Sequence, residues 1–238
     1  MRWFAGLLLL AATPAAAVDC DTIEHLGISF TACEVAAAEN LQLFLRDDAG
    51  DILGSFGAIE RNEGKPLLFA MNAGMYHEDR RPVGHYVEHG VEEMRVIASD
   101  GPGNFGLLPN GIFCIADTLR VYETLDFQAQ RPECTFASQS GPMLVINGQL
   151  HPRFIQGGTS KHIRNGVGTT ADGSRAVFVI SNEQVNFHDF ATLFRDHLGL
   201  PNALFFDGNI SRMYDRASGR SDFGWQLGPV VGVLEATE

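Results

Sequence analysis

A mixed fold, α+β or α/β, built as a single strand-rich domain with a few helices, is what this chain predicts. Three observations carry the prediction. Short apolar runs alternate with Gly, Asn and Asp along most of the length, the pattern of strands joined by turns. Phe187, Phe190, Phe194 and Leu198 repeat at helical spacing in one segment. A hydrophobic content of 45% with 26 glycines fits a loop-rich globular protein, and no linker, repeat or low-complexity tract divides the 238 residues.

The first 17 residues read as a signal peptide. Arg2 supplies the positive start, Trp3 to Ala12 an apolar stretch, and Ala15-Ala16-Ala17 a small-residue cleavage site. Roughly ten apolar residues are too few to cross a hydrocarbon core about 30 Å thick. Cleavage after Ala17 therefore leaves a domain of residues 18–238 with no membrane span, periplasmic or secreted. Four cysteines follow the leader, Cys20, Cys33, Cys114 and Cys134, and an exported chain keeps disulfides. Three pairings exist; Cys20–Cys33 and Cys114–Cys134 are favoured because each closes a short loop. Loss of Arg2 leaves 16 basic residues against 29 acidic ones, a net charge of −13. Such a chain does not bind nucleic acid or anionic lipid non-specifically. Lys161-His162-Ile163-Arg164, with Arg153 nearby, is a cluster of cations against that background.

Leu41–Leu45 and Ile52–Phe56 flank an acidic stretch, Arg46 to Asp51, which reads as a solvated hairpin turn because it lacks a full calcium loop. Gly84 to Gly90 reads as a strand, which sets His85 and His89 about 13 Å apart and too far to share a metal ion. Asn147-Gly148 is a two-residue hairpin turn, and Asp172-Gly173 opens the strand Ala176–Ile180. The helix Phe187–Leu198 has Asn186 as its cap, Asp189 at the third position, and Gly199 with Pro201 to end it. With strands at Val177–Ile180 and Ala203–Phe206 on either side, it predicts a βαβ unit. Asp207 then lies at the carboxyl end of a parallel strand, where ligand crevices form.

The run Leu204 to Arg212, LFFDGNISR, repeats a device seen elsewhere in the chain: an apolar segment reaching an amide or acid beside glycine. The same occurs at Asn72 in Met71-Asn72-Ala73-Gly74, at Asn110 before Gly111, and at Asn165 before Gly166. Each dipeptide can be a plain turn, or it can hold a polar group on a rigid scaffold with the backbone free to approach a ligand. Other chemistries lack their signatures. No Gly-x-Ser-x-Gly elbow is present, and His188-Asp189 are adjacent on a helix and cannot orient one another in a triad. No phosphate-binding P-loop occurs, and Gly101-Pro102-Gly103 is a poor dinucleotide loop. Carboxylates and arginines remain. An ordinary glycoside needs two carboxyl groups for hydrolysis. A sugar joined through its anomeric carbon to a phosphodiester loses a stable anion, so a cationic clamp can do much of what a general acid would. Asp207 and Arg164 are the residues for those roles, with exposed Glu183 as a weaker candidate acid.

Taken together, Met71-Asn72-Ala73-Gly74-Met75-Tyr76, Pro109-Asn110-Gly111-Ile112-Phe113, Gln139-Ser140-Gly141-Pro142-Met143-Leu144-Val145, Arg164-Asn165-Gly166-Val167-Gly168 and Phe206-Asp207-Gly208-Asn209-Ile210-Ser211 resemble the phosphodiester glycosidase family. The matches span roughly Phe69 to Tyr214 in family order. Within the family the chain looks like the exported bacterial branch linked to exopolysaccharide. The resemblance implies a hydrolase acting on a carbohydrate phosphodiester, with Asp207 and Arg164 as the catalytic pair. Asn72, Asn110, Ser140 and Ser211 are implied as supporting residues, and Lys161 or Arg212 as helpers in holding phosphate. After Asp207, Asn209-Ile210 stands where the lysosomal uncovering enzyme of the family has a more glycine-rich stretch, so its N-acetylglucosamine specificity is not carried over. No cofactor is indicated; calcium stays open, since scattered Asp and Asn side chains assemble a site only in the fold. A carbohydrate-binding envelope protein without turnover and a metal-dependent phosphodiesterase are the competing expectations.

Overall fold

The computed structural model describes residues 18–236, and the expected signal peptide lies outside the described residues. Three antiparallel sheets share one core. The first has seven strands, in the order Asp19–His25, Ile28–Ala36, Arg175–Ser181, Asn165–Thr169, Asn202–Asp207, Met143–Ile146 and Gln149–Leu150. The second runs Arg220–Ser221, Met213–Asp215, Leu67–Asn72, Val230–Leu234, Leu41–Phe44. The third runs Val91–Met94, Tyr86–Glu88, Phe136–Ser140, Gly111–Ile115, Leu119–Glu123. Aromatic rings from all three meet at the centre. Phe178 of the first sheet lies 5.1 Å from Phe69 of the second and 5.7 Å from Phe113 of the third, and Phe206 reaches the same cluster.

Inside the first sheet, Arg175–Ser181 and Asn202–Asp207 are buried on both faces, which explains their near-continuous apolar runs. Leu204 and Phe206 point into the three-sheet core, whereas Ala203 and Phe205 point to the opposite face. There they meet Phe190, Leu193 and Phe194 of the helical segment. This segment is α-helical over Phe187–Thr192 and continues as a π turn over Leu193–His197. The α turn buries Phe190, Ala191 and Thr192, and the π turn continues the buried face with Leu193 and Phe194. Asn186 caps the helix as expected: its side-chain oxygen accepts from the Asp189 backbone N–H at 2.9 Å. Gly199 follows the segment at φ 67°, the left-handed conformation of a helix-ending glycine.

Three expectations need correction. The βαβ reading has the right elements but not the direct pairing. Asn165–Thr169 inserts between Arg175–Ser181 and Asn202–Asp207 and is antiparallel to both, so the two outer strands run parallel without touching. Asp207 thus ends a strand whose bonded neighbours both run the other way. Second, Asn110 and Asn165 stand at the beginnings of strands, not the ends. Antiparallel pairing still gathers them, because the start of one strand lies beside the end of the next. Third, Ile52 makes only an isolated bridge to Arg46, and Phe56 opens a helix, Phe56–Glu63, capped by Ser55. That helix and Thr124–Gln130 bury only two residues each, too few to write a periodic pattern in the sequence. The acidic turn is closed by Asp47, whose Oδ1 accepts from the Ala49 and Asp51 backbone N–H groups.

Both disulfides pair as favoured. Cys20 and Cys33 face one another across the first hairpin, with Cα atoms 4.0 Å apart, and Cys114–Cys134 ties the third sheet to the segment after its helix. A bridge closing a loop of this length contributes about 3 kcal/mol by constraining the unfolded chain. Replacing Cys114 and Cys134 together by Ser should lower the melting temperature by roughly 6–12 °C. An unchanged melt under oxidising conditions would show that the bridge adds nothing.

Candidate functional site

Arg164 is the largest fully buried side chain among the described residues, at 0% exposure. It precedes the strand Asn165–Thr169, and its alternation puts it on the helical face of the first sheet. Its guanidinium carbon lies 3.6 Å from the Phe187 ring centroid and 5.4 Å from that of Phe205. Nε donates to the Val185 carbonyl at 2.9 Å and one terminal nitrogen, Nη2, to the Ser160 carbonyl at 3.1 Å. The other, Nη1, is buried with no partner among the described residues. Burial alone pushes the group down to about 10, with no carboxylate acting against it. An unpaired buried charge costs several kcal/mol. A chain that tolerates one has a use for it.

Asp207 lies on the same face at the end of its strand, 8% exposed. Its Oδ1 accepts from the backbone N–H groups of Gly208 at 2.6 Å and Asn209 at 2.8 Å. Burial raises its pKa above the ordinary carboxylate value, opposed by the amides of Asn209, Gly208 and Ile210. Arg164 and Asp207 line one pocket of about 270 Å³ with Met75, Asn104, His162, Gly208 and Asn209. Asp207 is the one carboxylate in that lining and Arg164 the one arginine. Glycine at 208 keeps the space beside the guanidinium open. A Cβ there would stand 3.2 Å from Nη1 and 3.0 Å from Phe205.

Beneath the pocket, an amide pair joins the first two sheets. Asn165 Nδ2 donates to Asn72 Oδ1 at 3.1 Å and to the Asn72 carbonyl at 3.0 Å. Asn165 Oδ1 accepts from the Asp207 backbone N–H at 3.1 Å, and Asn72 Oδ1 accepts from that of Arg212 at 2.9 Å. Ser211 Oγ donates to the Asp207 carbonyl at 2.9 Å and closes the turn. Every bond here holds the backbone around Asp207 in place, the support a rigid site requires.

The predicted residues therefore divide. Arg164 and Asp207 meet in the pocket. Asn72 and Ser211, read from sequence as supporting residues, spend their polar atoms on the frame below it. Ser140 is buried and donates to the Phe206 carbonyl at 2.8 Å. Asn110 lies away from the pocket, donating to the Phe105 carbonyl and accepting from the Thr124 hydroxyl at 2.7 Å. Arg212 commits its guanidinium to the carbonyls of Asp222 and Trp225. Lys161 and Glu183 are exposed, and neither lines the pocket. Sequence reasoning missed four residues. Asn165 and His162 sat inside quoted motifs and were read only as a turn amide and a cation. Tyr76 closed another motif; its phenol is raised to about 12, by burial first and then by the nearby Asp207 charge. Asn104 carried no signal.

A larger concavity, about 930 Å³, lies on the third sheet among His85, His89, Glu92, Phe127, Arg131 and Cys134. It holds none of the predicted catalytic or binding residues.

Comparison with known proteins identifies the family and the fold. The sequence matches the model of the phosphodiester glycosidase family over residues 66–233, a span that contains the whole pocket. It is 34% identical over 236 residues to YigE of Escherichia coli strain K12, a protein described as uncharacterised; the match covers 98% of this chain and 91% of that one. Among solved structures it resembles the catalytic domain of zebrafish N-acetylglucosamine-1-phosphodiester α-N-acetylglucosaminidase, auto-inhibited by its pro-peptide. The TM-score is 0.65 at 14% identity, covering 94% of this chain and 86% of the other. A Burkholderia pseudomallei protein classed as exported matches at a TM-score of 0.51 and 11% identity, covering 87% and 74%. At such identities the two structures speak for the fold alone.

Proposed function

We propose that this chain, which belongs to the phosphodiester glycosidase family, is an exported hydrolase that cleaves the bond between the anomeric carbon of a sugar and a phosphodiester oxygen. One observation carries the reading: a fully buried guanidinium with a free Nη1 shares a pocket with a single carboxylate. An unpaired buried cation suits an anion brought in by the substrate, and arginine matches phosphate oxygens in its fixed planar geometry. The lone carboxylate fits the same reaction, because a departing phosphate monoester anion needs no proton from a second acid.

In this mechanism Arg164 binds the bridging phosphate and stabilises the charge that grows on it as the anomeric carbon–oxygen bond breaks. Asp207 takes a proton from an attacking water, or attacks the anomeric carbon itself and is released by water. Either way the water oxygen ends on the sugar, one proton is set free, and the phosphate leaves as a monoester. The two disulfides suit an oxidising compartment, in keeping with export.

The test is to incubate the protein from residue 18 onward with a panel of sugar-1-phosphodiesters in isotopically labelled water. Free sugar carrying the label is the expected product. Label recovered in phosphate instead would mean phosphorus–oxygen cleavage and would overturn the reading. Binding of panel members without any release would point to a carbohydrate-binding protein.

A further inference from the structure

Asn104 is the one residue of the pocket lining whose flanking strands both belong to the third sheet. It lies on the connection between Val91–Met94 and Gly111–Ile115 and is exposed. Its carboxamide makes no hydrogen bond with the described residues. The amides of Asn72 and Asn165 are consumed in the frame below the pocket; this one is left over. A free amide on a slack loop would say little, since surface loops carry many.

This loop is held. The next residue, Phe105, buries its ring against Gly84, where a Cβ would stand 2.6 Å from it. Gly106 lies so close to Gly101 that a Cβ would strike its backbone. The Leu107 N–H reaches back to the Asn104 carbonyl at 3.2 Å, and the Pro109 carbonyl accepts from the Met143 N–H at 2.9 Å. Above all, the Phe105 carbonyl accepts from Asn110 Nδ2 at 3.1 Å. Asn110 ends a relay of buried side chains. The Thr124 hydroxyl donates to Asn110 Oδ1 at 2.7 Å, and Gln139 Nε2 donates to the Thr124 oxygen at 3.1 Å. Gln139 in turn accepts from the backbone N–H groups of His85 and Ile97. A buried relay in which each member is bonded fixes its own geometry, and this one ends one residue from Asn104.

We propose that Asn104 is a specificity-determining residue whose carboxamide hydrogen-bonds a hydroxyl of an uncharged sugar, and that Asn110 is its positioning residue. This rests on the hydrolase reading above, in which the sugar lies against Asp207 and the phosphate takes Arg164. The amide is then left for a neutral group. It offers two donors and an acceptor, and a hydroxyl both donates and accepts. An acidic sugar would set a second carboxylate beside Asp207, with no second arginine or lysine in the lining to offset it. A pocket that binds a hydroxyl in this way rejects the analogue lacking it, because the amide gives up its water and gains no partner.

Methyl phosphodiesters of glucose, galactose and mannose, joined at the anomeric carbon in both anomers, would be assayed for sugar release. The best-accepted member would then be compared with its singly deoxygenated analogues. The wild type should favour the parent over one of these analogues by about tenfold in kcat/KM, the worth of a neutral hydrogen bond. Asn104→Ala should bring that one ratio to about one and leave the ratios for the other hydroxyls unchanged. Asn110→Ala should shrink the same ratio, and the double variant should go no further. Each ratio is taken within one preparation, so a partly unfolded sample cancels and a merely structural role would not move it. Equal use of the parent and every analogue by the wild type overturns the proposal, as does a ratio that survives Asn104→Ala. A ratio lost in Asn104→Ala but kept in Asn110→Ala overturns the positioning role. If the wild type releases no sugar, the hydrolase reading fails by itself, and the same ratios are read as dissociation constants by calorimetry. Binding of no panel member would overturn both.

Discussion

Asp207→Asn should lower turnover on any accepted sugar-1-phosphodiester by about a thousandfold, the middle of the range for losing a general base. Substrate affinity should change far less. The substitution keeps the side-chain oxygen that accepts from the Gly208 and Asn209 amides, so the turn survives. It also removes a charge that burial disfavours. The variant should therefore melt at or above the wild-type temperature, which separates lost chemistry from lost fold. The wild-type pH profile follows from the same environment. The active carboxylate form accumulates as pH rises through the Asp207 pKa, so the acidic limb of kcat/KM should lie higher than an ordinary aspartate would place it, and Asp207→Asn should abolish that limb. A folded Asp207→Asn protein with full turnover would remove Asp207 from the reaction.

Arg164→Met should be equally damaging to activity and nearly harmless to stability. Losing a buried arginine that stabilises phosphoryl charge typically costs about a thousandfold or more in rate. Methionine fills much of the same space against Phe187 and Phe205 and removes an unpaired buried charge. Replacements of buried ions by apolar residues of similar volume are often neutral or stabilising. Against that stand the lost bonds to the Val185 and Ser160 carbonyls, about 1 kcal/mol each. The net change in stability should stay within about 2 kcal/mol, measured by denaturant unfolding. Strong destabilisation of Arg164→Met with activity retained per folded molecule would make Arg164 a structural residue instead.

Much of the fold was legible because it rests on short-range chemistry. The Asn147-Gly148 turn has both residues at positive φ, as its composition predicts. Asn186 and Gly199 bracket the helical segment as capping rules require, and the disulfides close the two short loops. The helices at Phe56 and Thr124 escaped because each packs one small face and carries its start signal in a single side chain, Ser55 and Glu123. Asn110 was misplaced for another reason: an Asn-Gly pair looks the same at either end of a strand.

At the pocket, the residue types pointed in advance to the chemistry proposed above. An aspartate at the end of an apolar strand and an arginine in a basic run of an acidic chain are local facts, and with the motif order they indicated the family. What only the tertiary structure decided is which polar groups remain free. Antiparallel strands from two sheets bring Asn72, Asn165 and Asp207 to one place, and the hydrogen bonds made there consume the amides while Arg164 Nη1 finds no partner among the described residues. A polar side chain can serve a ligand only with donors and acceptors the protein has not already used, and that residue depends on contacts 42 and 93 positions apart in the chain.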